Sequence, residues 1–111
     1  MPSPAVPVAV FAEVTALSGK REDLLAAARE AFPSAEREEG THVFAVHVCE
    51  SEPDVVRFYE VYADAAARAA HSGSEATQKL IGSLGGLIEM PPKIVETTPL
   101  IAKGHVSDGR G

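Results

Sequence analysis

The chain has 111 residues, with 10 Lys and Arg against 16 Asp and Glu and a formal net charge of -6. That length fits one domain able to bury a core of its own. An acidic surface repels phosphate backbones, which argues against nucleic acid as a partner. No stretch reaches the ~18 apolar residues needed to cross a membrane. The run from Ala5 to Leu17 lacks a basic start and is interrupted by Pro7 and Glu13, so it reads as a strand and not as a secretion signal. Cys49 is the only cysteine and forms no internal bridge, so a reducing cytoplasm is the expected setting. The chain has no Trp and no Asn, which excludes any mechanism that needs an indole or an Asn carboxamide.

Residues 1–7 hold Pro2, Pro4 and Pro7 and predict an extended lead-in. From Val8 to Ala16 the alternation predicts a strand, with Val8, Val10, Ala12 and Val14 on one face and Phe11, Glu13 and Thr15 on the other. Ser18 is placed to cap a helix carrying Glu22 and Asp23 in its first turn, with Leu24, Leu25, Ala28, Phe32 and Ala35 at helical spacing. Pro33 falls inside this pattern and predicts a kink or a break, and Gly40 a stop. Thr41 to Cys49 predicts a second strand, Ser51 to Asp54 a turn, and Val55 to Ala63 a third strand paired with the second as an antiparallel hairpin.

Asp64 is read as the cap of a short Ala-rich helix ending near His71, and Ser74 as the cap of a further helix. Gly82, Gly85 and Gly86 weaken the later turns of that helix, and Pro91-Pro92 ends it. Those glycines lack the spacing and the following Lys-Ser/Thr of a phosphate loop. Lys93 to Ile101 predicts a fourth strand, and residues 102–111 a loose polar tail.

The order β-α-β-β-α-β is the ferredoxin-like arrangement, an antiparallel four-stranded sheet with helices on one face, here over residues 8–101. The first two strands are apolar on both faces, and helices cover only one. A second copy of the chain is the simplest cover for the other, which predicts a homodimer.

Ala35-Glu36-Arg37-Glu38-Glu39-Gly40, then a hairpin, then Phe58-Tyr59-Glu60-Val61-Tyr62-Ala63-Asp64, then Ala70-His71 and Ser74, resembles the antibiotic biosynthesis monooxygenase (ABM) family. That family carries an R-x-E-P-G turn before the second strand, E-x-W or E-x-Y at the end of the third, and H-x-x-S-x-H on the next helix. The resemblance runs from Val8 to Leu100, and Phe58 to His71 is its most specific part. It implies a ferredoxin-like protomer, a dimeric α+β barrel with two sheets face to face, and a pocket between helices and sheet. Some members oxidise polycyclic phenols or quinols with O2 and no cofactor, and others degrade haem, isomerise small molecules or have no known activity. Glu39 replaces the usual Pro, Ala76 the second His, and Tyr62 stands where several oxygenases have Trp. The haem-degrading branch uses an Asn on the first strand, a Trp and a haem-ligating His; Ala12 stands at the Asn position, Ile81 lies near the His position and the chain has no Trp, so the resemblance gives poor support to haem degradation.

Through the resemblance, His71 is the first candidate catalytic group, because an imidazole titrates near neutrality and can deprotonate a phenol. A helix C-terminus also favours a purely structural His there. Tyr62 is expected to orient a substrate oxygen. Glu60, on the same face with Phe58, is either a base or the partner of an Arg across the dimer. Phe11, Phe44 and Phe58 are expected to complete an apolar substrate pocket. His47 and Cys49 share a strand face, but the spacing matches no zinc signature, so no metal is expected. His105 falls in the tail. The leading expectation is a cofactor-free monooxygenase of a small quinol or phenol. The rivals are a non-catalytic binding or structural dimer and a proton-transfer isomerase with His71 or Glu60 as base.

Overall fold

The computed structural model describes residues 5–104. Residues 1–4 of the lead-in and 105–111 of the tail, His105 included, lie outside the described residues.

The elements follow the expected order: β1 (Val8–Thr15), α1 (Arg21–Arg37), β2 (Thr41–Cys49), β3 (Glu52–Tyr62), α2 (Ala65–Ser72), α3 (Glu75–Ser83), a single 3-10 turn (Leu84–Gly86) and β4 (Lys93–Thr97). The strands form one antiparallel sheet in the order β2-β3-β1-β4. The ferredoxin-like α+β architecture is therefore present, with the second helical segment divided into α2 and α3.

The alternation in β1 sets the two faces. Val10 and Val14 are buried beneath the helices, whereas Phe11, between them in sequence, is half exposed on the opposite side. α1 presents Leu24, Ala28, Ala31 and Ala35 as one buried stripe at helical spacing. Leu24 meets Val14, Val56 and Phe58 in the main core. Leu24 and Val56 are wholly inaccessible, and each such side chain stabilises the fold by about 1.5–3 kcal/mol relative to exposure.

Local readings differ from the structure at several places. α1 continues through Pro33 to Arg37. Ala31 and Ala35, on either side of the proline, are both buried, and that packing holds the helical path despite one missing hydrogen bond. Ser18 does not cap α1. Ser18 and Gly19 form a turn in which Gly19 has φ 77, and the helix starts from Lys20 with no side-chain cap bond. Gly40 acts through space, not through a helix stop. A Cβ there would lie 2.6 Å from Ala67 Cβ, so the glycine lets β2 begin against α2.

The hairpin turn is tighter than expected. Cys49 pairs with Glu52 across Glu50-Ser51, and Pro53 falls near the start of β3, where a missing N–H costs the sheet little. β4 ends at Thr97, short of Ile101, because Pro99 cannot donate to a ladder. Leu100 and Ile101 beyond it are almost fully exposed. The two expected helix caps are present: Asp64 Oδ1 accepts from Ala67 N at 2.8 Å, and Ser74 Oγ accepts from Thr77 N at 3.2 Å.

Candidate functional site

Two hollows flank the sheet. Between the sheet and the helices lies a cavity of about 160 Å3. Its floor is β1, β3 and β4 (Val10, Ala12, Phe58, Ile94) and its roof is α2 and α3 (His71, Leu80). The period of 2 in β1 and β3 aims Val10, Ala12, Phe58 and Glu60 at the same side. The polar groups on the wall are Glu60, Arg68, His71, Ser72 and Thr77.

His71 is buried in the last turn of α2, with 8% of its surface exposed. Its ring lies between Tyr62 and Phe44, at centroid distances of 5.3 and 5.5 Å. Nδ1 is 2.7 Å from Glu38 Oε1, the residue that ends α1. A carboxylate only accepts, so Nδ1 carries the proton and donates. In the neutral ring Nε2 is then an acceptor, and Thr77 Oγ1 stands 3.3 Å from it. Ser74 Oγ donates to Thr77 Oγ1 at 3.0 Å, which leaves the Thr77 hydroxyl proton for the imidazole. Glu38 also accepts from Thr41 Oγ1 at 2.8 Å, so the carboxylate is fixed from two sides.

Tyr62 is placed differently from the sequence reading. It is 1% exposed and does not line the cavity, so it cannot orient a substrate oxygen directly. Its hydroxyl donates to Glu60 Oε1, and Glu60 itself lines the cavity. Burial, reinforced by the neighbouring Glu60 carboxylate, holds the Tyr62 phenol far above its ordinary range, so it remains a proton donor and never a base. Glu60 is thus satisfied within its own protomer by Tyr62.

Phe44 and Phe58 line the cavity, with ring centroids 6.1 Å apart. Phe11 does not. The register that pairs Phe11 with Tyr59 turns it to the other face, where the two rings are 5.0 Å apart. That face carries a broad open groove of about 640 Å3. Glu13, Arg57, His47 and Lys93 sit beside the aromatic pair, and Arg57 reaches Glu52 at 2.8 Å and Glu13 at 3.1 Å. His47 is on this face, while the Cys49 thiol is 3.1 Å from Ser51 Oγ, a contact that draws its pKa below the ordinary value. Among the described residues, no group of three or more His, Cys, Asp or Glu is arranged to hold a metal ion.

The sequence reading missed Glu38, Arg68 and Thr77. Thr77 stands six residues after His71, on α3 and not on α2, with no pattern to mark it. Glu38 occupies the acidic position of the turn motif and was legible there in principle.

A four-stranded antiparallel sheet, helices on one face only, and a small, partly open hollow between them define a ferredoxin-like α+β domain. The antibiotic biosynthesis monooxygenase family model matches residues 7–82, and the chain belongs to that family. A protein of Shewanella oneidensis superposes with a TM-score of 0.82 at 28% identity, covering 87% of this chain and 94% of that one. A Nitrosomonas europaea protein of unknown function does so at 0.79 and 26%, covering 91% and 96%. A Mycobacterium tuberculosis protein at 21% identity, covering 88% and 99% with a TM-score of 0.82, shares the fold. No curated protein matches significantly. Among the described residues no helix is long and apolar enough to cross a membrane.

Proposed function

We propose that the chain is a cofactor-independent monooxygenase of a single-ring quinol or phenol, working as a homodimer. The observation that carries this is His71 on the wall of an apolar cavity of about 160 Å3, with Nδ1 anchored to Glu38. A cavity of about 150 Å3 lined by apolar side chains holds benzene, so one aromatic ring fits here.

A phenol entering over Phe58 displaces the Thr77 hydroxyl from Nε2 and gives its proton to that nitrogen. The imidazolium is held by Glu38, as a carboxylate behind an imidazole does in other acid–base sites. The phenolate then passes an electron to O2. One oxygen atom enters the ring and the other leaves as water with two substrate hydrogens, so the phenol becomes a quinone. The substrate supplies all four electrons that reduce O2, and no cofactor is required. Tyr62 acts behind Glu60, as a positioning residue.

The dimer is supported by Phe11 and Val95, 50% and 57% exposed on the sheet face that the helices leave open. Ala9 and Val61 at the other end of that face are buried, so the uncovered part is the half around Phe11. The lone thiol keeps the reducing cytoplasm as the expected setting.

The test is O2 uptake with a panel of single-ring quinols, for the wild type and His71→Ala. Uptake above autoxidation that falls in the variant supports the assignment. No uptake with any quinol overturns it. One observation favours a second reading, a non-catalytic binding dimer: both ring nitrogens of His71 are already partnered, as in a structural histidine.

A further inference from the structure

Arg68 stands three residues before His71 on α2, so both project from the same side of the helix, and both line the cavity. A guanidinium carries five N–H donors. Among the described residues, the one hydrogen bond the Arg68 side chain makes is from Nη1 to Ser72 Oγ, at 3.0 Å. Its Nε is shut off from solvent and has no hydrogen-bond partner. Glu96 Oε1 lies 3.0 Å from that nitrogen but off the line of its N–H, a charge contact without a bond. A cation with an unpartnered N–H therefore lines a hollow whose apolar walls are Val10, Ala12, Leu80 and Ile94 and whose other polar groups are Glu60, His71, Ser72 and Thr77.

We infer that Arg68 is the group that stabilises the ionised oxygen of the bound phenol, so that this cavity selects substrates held as phenolates. It rests on the assignment of the cavity as a phenol site. The step is a single proton transfer: the substrate O–H bond breaks, an N–H bond forms at His71 Nε2, and the negative charge left on oxygen lies beside the guanidinium. Low polarity in the surrounding wall makes that charge pair stronger than it would be in water. The charged groups around it are Glu60 on β3, Glu96 on β4, His71 on α2 and, behind His71, Glu38 at the end of α1. Glu60 works against an anion and Glu96 competes for the guanidinium, so Arg68 must outweigh both.

The test is a pH titration of bound 4-nitrophenol, whose absorbance separates phenol from phenolate. It compares the wild type, Arg68→Gln, Arg68→Lys and Glu96→Gln. The wild type should lower the pKa of the bound probe by about one to three units, the range for an opposite charge at close approach. Arg68→Gln should abolish the shift, Arg68→Lys should restore part of it, and Glu96→Gln should deepen it. If Arg68→Gln does not fold, the exposed Glu96→Gln decides alone. A bound probe with an unshifted pKa, or a shift insensitive to these variants, overturns the role of Arg68 and leaves the phenol site standing. A wild type that binds no nitrophenol overturns the phenol site and this inference together.

Discussion

Glu38 and His71 are 33 residues apart in the chain, and 2.7 Å separates the carboxylate Oε1 from the imidazole Nδ1. The end of α1 and the last turn of α2 are thus tied by one hydrogen bond, and its direction decides which nitrogen faces the cavity.

Replacing the carboxylate should cost stability and turnover to different degrees. Glu38→Ala should lower the unfolding free energy by about 1.5–3 kcal/mol, the range for a hydrogen bond to a charged group. Glu38→Gln keeps an oxygen acceptor and should cost less. Both should reduce O2 uptake, because neither holds an imidazolium. Denaturant unfolding beside O2 uptake separates the two effects.

Tyr62 gives the fold an alkaline limit. Its pKa is raised above the ordinary value of 10.0, so the native protein keeps a proton that the unfolded chain releases above that pH. Stability from this group is complete below 10.0 and declines as pH rises beyond it. Tyr62→Phe should remove that decline and cost about 1–3 kcal/mol at neutral pH, by leaving Glu60 without its donor. Denaturant melts on both sides of the ordinary value measure both effects.

Gly40→Ala places a methyl 2.6 Å from Ala67 Cβ, with backbone on either side. Such a contact is relieved only by moving β2 away from α2, so a loss of about 1–3 kcal/mol is expected. Ala67→Gly in the same chain should recover most of it. A thermal melt of the pair decides whether the contact is the cause.

Ala12→Leu should fill the cavity from its floor. Space is already present, so the fold should keep its melting temperature within a few degrees while nitrophenol binding and O2 uptake disappear. Binding that survived would move the ligand site elsewhere.

Phe11→Glu should leave the helix–sheet cavity intact, since Phe11 lies on the far face. It should convert a wild-type dimer to a monomer in analytical ultracentrifugation. A wild type that sediments as a monomer removes the dimer from the proposal.

Much of the chain was legible residue by residue. The alternation from Val8 to Val14 assigned β1 and both its faces, because a period of 2 follows from strand geometry alone. The Asp64 and Ser74 caps were legible because capping is a contact within four residues. Pro33 misled because its local cost is outweighed by the burial of Ala31 and Ala35 against the sheet. Phe11 was sorted correctly to the face opposite Val10, yet was expected in the same pocket as Phe44 and Phe58; only the register with Tyr59 separates them.

By itself, then, the amino-acid order determined the strands, most helix limits, the ferredoxin-like order and the family motif, since each depends on neighbours within a few bonds. The tertiary structure alone decided that Glu38 anchors His71, that Tyr62 bonds Glu60 from behind, and that Arg68 lines the cavity beside His71. Those contacts join residues brought together by packing α1, α2 and α3 on one sheet, and no periodicity along the chain encodes a distance across it.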